Sequence, residues 1–204
     1  MAESYPNQQA ETLPEPNGPS IEELKAQRAD FVSELVGSRL ISNGLASSGQ
    51  LDSFIIDEPT GYDALKHILV GDKDGGAHHL DTIFKLDNPE FSVVAASQVR
   101  GSRRYSSNKL KLMQGVKENG AFHPRLLSIN GQKKESGSAM FPDEWSTEDV
   151  VRGLLIVAQT VPEYHDLERS TYAHVGNIEG VDIRVITSEQ TGQIITGFPV
   201  VLRK

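Results

Sequence analysis

The chain has 204 residues, no cysteine, and 20 basic against 28 acidic side chains for a formal net charge of −8. That length holds one medium-sized domain or two small lobes around a buried core, and the missing cysteines exclude disulfides, thiolate metal sites and a cysteine nucleophile. No stretch approaches the roughly 20 apolar residues of a spanning helix, and the N-terminus lacks the blocks of a signal peptide. We therefore expect no membrane span; the composition suits either side of a membrane, and export, if it occurs, would use another signal.

Residues 1–19, with Pro6, Pro14, Pro16 and Pro19 among polar side chains, read as a flexible acidic leader. Ser20 and Glu23 have capping-box spacing, and Ile21, Leu24, Phe31, Val32 and Leu35 then recur at helical period, predicting a helix of about four turns. The acid is concentrated early: residues 1–63 hold 11 of the 28 acidic groups and 3 of the 20 basic ones. Positions 100–134 invert the balance, with nine basic side chains, Arg100, Arg103 and Arg104 among them, against Glu118 alone. Such a run reads either as a solvated face or loop or as a phosphate-binding surface, and Tyr105, Phe122 and His123 within it offer rings for base stacking. Ser146 and Asp149 repeat the capping-box spacing ahead of Val150, Val151, Leu154, Leu155 and Ala158 and predict a second helix. Trp145, just before it, reads as a core residue packing the helix start. Residues 181–188 (VDIRVITS) alternate as a strand, a turn follows at Gln190 to Gly192, and 193–202 runs back as another. His165 and His174 match no metal motif and read as surface or satisfied polar residues.

Chemistry concentrates in residues 66–80, KHILVGDKDGGAHHL, where one tight loop separates His67 from His78 and His79. Two imidazoles held close can act as base and acid near neutral pH, and the glycines allow a sharp bend that keeps side chains clear of a substrate. Spacing by itself leaves this reading open against two structural histidines.

HILVGD followed by GGAHH resembles the segment that carries both catalytic histidines in the EndoU nucleases. MFPDEWSTEDV, GVDIRVIT and GQIITGFPV are similar, in order, to that family's segment entering a helix, its penultimate strand and its closing strand. The resemblance implies an α+β fold of two small, mostly antiparallel β lobes with flanking helices and a cleft between them. On this reading residues 20–204 form the nuclease domain: a helical part at 20–60, a His-bearing lobe with a basic insertion at 61–132, and a C-terminal lobe at 133–204. It also implies cleavage of single-stranded RNA, tRNA among the candidates, at uridine. The 2′-OH attacks to leave a 2′,3′-cyclic phosphate and a 5′-OH.

By the same resemblance, His67 stands for the general acid, His78 for the base, and Lys134 for the cation that stabilises five-coordinate phosphorus, with Lys133 as the alternative lysine. Many bacterial members place that lysine where this chain has Ser138. Ser138 and Thr196 stand for the base-recognising hydroxyls, and Phe198 for a stacking ring where the family usually has a tyrosine. Without the family, Thr196 and Phe198 are alternating strand residues. Arg100, Arg103 and Arg104 are candidates for phosphate contact. No cofactor or metal is required on this reading, although manganese could stimulate. A bacterial toxin or effector role implies a cognate immunity protein as a partner beside RNA. Two further readings stay open: a catalytically degenerate EndoU-fold module that binds RNA or protein, and a metal-dependent hydrolase using Asp72, Asp74, His78 and His79 as ligands.

Overall fold

The computed structural model describes residues 18–71, 76–86, 91–92, 113–114, 121, 123–124, 128–129, 132–133 and 139–201. Helix α1 (Ile21–Gly37) starts at the first capping box: Ser20 Oγ accepts from the Glu23 amide at 3.3 Å, and the Glu23 carboxylate accepts from the Ser20 amide at 2.7 Å. Two amides left without helical partners are satisfied in this way. Leu24, Phe31 and Leu35 are buried on one stripe, and Arg28 lies on the same stripe between them. After α2 (Asn43–Ser47) and a 3-10 turn (Gln50–Ser53), the chain passes through Phe54 and Ile55 into β1 (Ile56–Asp57), which pairs antiparallel with β2 (Tyr62–Asp63). Asp63 then caps α3 (Ala64–Val70), its carboxylate accepting from the Lys66 amide at 3.1 Å. This helix takes up the apolar run around His67 and buries Leu65, Ile68 and Leu69; α4 (Leu80–Lys85) follows directly after His79.

Short antiparallel pairs come next. β3 (Phe91–Ser92) pairs with β6 (Ser128–Ile129), β6 with β7 (Gln132–Lys133), and β4 (Met113–Gln114) with β5 (His123–Pro124). Most of the basic run predicted to meet phosphate lies outside the described residues, Arg100, Arg103 and Arg104 included.

The C-terminal part is a helix on a sheet. At the second capping box, Ser146 Oγ accepts from the Asp149 amide at 3.1 Å and opens α5 (Thr147–Ala158). The sheet is antiparallel with strand order β11-β10-β9-β8, formed by β8 (Tyr164–Asp166), β9 (Thr171–Ile178), β10 (Val181–Ser188) and β11 (Ile194–Pro199). β10 and β11 fall where alternation predicts strands, and β8 and β9 extend the sheet beyond them. Along β10, Val181, Ile183, Val185 and Thr187 are buried while Asp182 and Arg184 are exposed, so α5 covers one face only. A Cβ on Gly197 would stand 2.3 Å from Leu154 Cδ2; glycine there lets α5 lie close on β11. The register slips between Ile186↔Thr196 and Thr187↔Ile194, leaving Ile195 as the extra residue of a bulge. Beyond the bulge, Gly197 points at α5, so Thr196 and Phe198 share the opposite face.

The class is α+β, as the resemblance implies. The His-bearing half and the sheet share one hydrophobic core, running from Phe31 and Leu35 through Leu65 and Ile68 to Leu154 and Ile183. Phe54 bridges Ile194 and the Ile55 amide donates to Ile194 O at 2.9 Å, which ties the first half to β11. Among the described residues no helix is long and apolar enough to cross a membrane.

Candidate active site

α3 delivers His67, and a hook in the backbone brings His78 back to it. Gly76 and Ala77 both adopt the left-handed region, at φ 68 and φ 62. Their reversal lets the Ala77 amide donate to His67 O at 2.9 Å and the His78 amide donate to Ile68 O at 2.8 Å. Gly76 lies so tightly on His67 that an added Cβ would sit 1.8 Å from His67 O and 2.9 Å from its ring carbon Cδ2. The glycine therefore does more than permit a bend: it is the surface on which the His67 ring edge rests.

His78 is 8% exposed, and its Nδ1 lies 2.7 Å from Ala139 O. A carbonyl only accepts, so Nδ1 carries the hydrogen and, in the neutral ring, the lone pair is on Nε2. The other side of the His78 segment is fixed by the Phe141 amide, which donates to His78 O at 2.8 Å. The His78 ring faces Phe198 with centroids 5.8 Å apart. Phe198 thus reaches His78 from β11, and Thr196 lies one pleat away on the same face of that strand.

Tyr62 touches the candidate site and is a residue the motifs did not single out. Its ring packs 5.0 Å from that of His67, while its hydroxyl donates to Ile195 O at 2.7 Å, on the bulge next to Thr196. An aromatic just before a helix that carries a candidate acid was the available signal; its partner, 133 residues away, was not.

His79 turns the other way and is 1% exposed. Its Nε2 donates to Trp145 O at 2.9 Å and its Nδ1 accepts from Thr82 Oγ1 at 2.7 Å, with Thr147 Oγ1 a further 2.8 Å from the Thr82 hydroxyl. Both nitrogens are engaged, so this ring has none left to offer an ion, as the metal-hydrolase reading requires; Asp72 and Asp74 lie outside the described residues. No group of three or more His, Cys, Asp or Glu able to hold a metal ion occurs among the described residues.

Burial pushes the His79 imidazole below its ordinary value of 6.5. The unfolded chain then takes the proton first, so the stability this ring contributes is full above about pH 6.5 and drains as pH falls below that value. We predict that the unfolding midpoint drops on acidification through this window and that His79→Ala, by stranding Trp145 O and Thr82, lowers stability by about 2–4 kcal/mol. Urea unfolding at pH 7.5 and 5.5 tests both; an unchanged midpoint in the variant would refute the structural role.

Trp145 is buried, stacked on Phe141 at 5.7 Å, and is a core residue as expected. His174 is buried with its nitrogens on Thr160 O and Thr187 Oγ1, and half-exposed His165 pairs with Glu189 at 3.1 Å. Lys134 and Ser138 lie outside the described residues, although Ala139, next to Ser138, holds the His78 ring; Lys133 is placed on β7.

Fold and candidate site together define an α+β protein in which main-chain hydrogen bonds join the His67 and His78 segments and the His78 ring meets Phe198 of the closing strand. The family model for the bacterial EndoU nuclease matches residues 61–201, and the chain belongs to that family. That family is described as a nuclease family. Among solved structures it is similar to the one described as XendoU, a splicing-independent snoRNA-processing endoribonuclease, with 12% identity and a TM-score of 0.42 over 88% of this chain. This chain spans 63% of the length of that one. No curated protein matches it.

Proposed function

We propose that the protein cleaves single-stranded RNA on the 3′ side of uridine by transesterification. His78 Nε2 takes the proton from the ribose 2′-OH; the freed oxygen attacks phosphorus in line, and the P–O5′ bond breaks. His67, as imidazolium, gives its proton to the departing 5′ oxygen, leaving a 2′,3′-cyclic phosphate and a 5′-OH. Lys134 stabilises the charge on five-coordinate phosphorus, with Lys133 as the alternative. Ser138 and Thr196 read the base, and Phe198 packs against it. Arg100, Arg103 and Arg104 hold phosphates further along the strand. The observation that carries this reading is the clamp on His78: Ala139 O at Nδ1 sets the tautomer a base requires and supports the charge the ring acquires. No step requires a metal ion. A toxin role, with tRNA as one candidate substrate and an immunity protein as partner, is part of the same proposal.

Incubating the purified chain with a uridine-containing oligoribonucleotide in excess EDTA, then mapping the ends, tests the proposal. Cutting after uridine with cyclic phosphate ends is expected. Cutting that depends on added divalent ion would favour a metal-dependent hydrolase, and no cutting at all would favour a binding module.

A further inference from the structure

We propose that Arg28, which lies upstream of the family-matched segment beginning at residue 61, is a positioning residue that registers His67 against β11. The inference rests on His67 being the acid of the reaction proposed above.

An arginine on the apolar stripe of a helix is costly unless every donor finds a partner. Arg28 is 7% exposed, and its guanidinium is fully committed. Nε and Nη2 form a fork on Asp63, at 2.9 Å to Oδ2 and 2.6 Å to Oδ1. Nη1 reaches Phe54 O at 2.6 Å and, more loosely, Leu51 O at 3.4 Å, while Nη2 also reaches Ile55 O at 2.9 Å.

These partners are not scattered. Asp63 is the cap of α3, the helix that carries His67. Phe54 and Ile55 are the residues that bridge Ile194 and donate to its carbonyl, at the start of the strand carrying Thr196 and Phe198. Ile55 O accepts from Arg28 and also from the Ala64 amide at 3.0 Å, the first residue of α3. One planar group thus grips the start of the acid's helix and the strap that holds the recognition strand. Tyr62, between His67 and Ile195 O, closes the same circuit on the side of the site. Plain stabilisation of the fold needs no such convergence, because apolar residues of similar volume commonly do as well as a buried ion pair.

The test uses two full-length variants. Arg28→Met combined with Asp63→Asn removes both charges together, strands no buried ion, and keeps a side chain competent to cap α3. Arg28→Lys keeps the charge but loses the fork and cannot reach the carbonyls and Asp63 at once. Each is assayed well below its own unfolding midpoint, for kcat and KM on a short uridine-containing RNA and for the NMR signals of the His67 and Phe198 rings. The expected result is a kcat lower by about ten- to hundredfold, the scale of an ångström-sized misplacement, with KM changed less than about threefold and both rings shifted. Folded variants with parental kcat and unmoved ring signals would overturn the proposal. Should the double variant not fold, Arg28→Lys decides on the same criteria. Should the parent chain not cut RNA, the proposed function fails by itself, and the ring signals still decide whether Arg28 sets the geometry.

Discussion

His78→Ala abolishes RNA cleavage while the fold survives, and His67→Ala does the same: these are the expected results with the largest effect on activity. Removing one positioned acid or base costs typically about 10²- to 10⁴-fold, and the two histidines act on the same proton ledger, so losing either stalls the step both serve. The fold survives because the contacts that place this segment are main-chain ones: the His78 amide to Ile68 O and the Phe141 amide to His78 O are untouched by the substitution. The local penalty is Ala139 O, left without its ring partner, which amounts to about 1–3 kcal/mol. Cleavage rates on a uridine-containing oligonucleotide, read beside circular dichroism and urea midpoints, check the prediction. His79→Ala is the contrasting control, unstable but active once folded in the cold. A His78→Ala protein that still cuts within tenfold of the parent would place the base elsewhere.

The second large effect is expected at Gly76. Gly76→Ala puts a methyl 1.8 Å from His67 O and 2.7 Å from its carbonyl carbon, and both atoms are backbone that cannot rotate away. The left-handed conformation at φ 68 adds a penalty of about 1–2 kcal/mol for any side chain, and relieving the overlap costs about 1–3 kcal/mol more. The turn must open, and opening it breaks the hydrogen bonds from the Ala77 and His78 amides that hold the His78 segment against α3. We therefore predict a combined loss of about 2–5 kcal/mol of stability and at least a hundredfold of activity, the second persisting at temperatures where the variant remains folded. Urea unfolding and cleavage assays at low temperature separate the two. A folded Gly76→Ala protein with parental activity would show that the hook is not what sets the pair.

What could be read from the amino acids alone was whatever is encoded within a few residues. Ser20 with Glu23 and Ser146 with Asp149 announce their helices because a capping box closes over three positions, and both boxes form. VDIRVITS announces β10 because a strand covered on one face must alternate, and its buried set is Val181, Ile183, Val185 and Thr187. The turn ahead of His78 was legible for a related reason, since its left-handed residues are the adjacent Gly76 and Ala77. β8 and β9 carried less of this signal, since β9 is half-buried over most of its length.

Partners distant in sequence belonged to the tertiary structure alone. His78 and His79 are neighbours of identical chemistry. Ala139 O, 61 residues on, holds one ring at the site, and Trp145 O, 66 residues on, draws the other into the core. Arg28, buried on the apolar stripe of α1, becomes intelligible only with Asp63, 35 residues away, and the carbonyls of Phe54 and Ile55. That Gly76 bears on His67, and that Phe198 meets His78, likewise depend on how elements pack. Short-range periodicity and capping are properties of the chain as written, whereas the two neighbouring histidine rings are sent different ways by hydrogen bonds whose acceptors no local pattern can name.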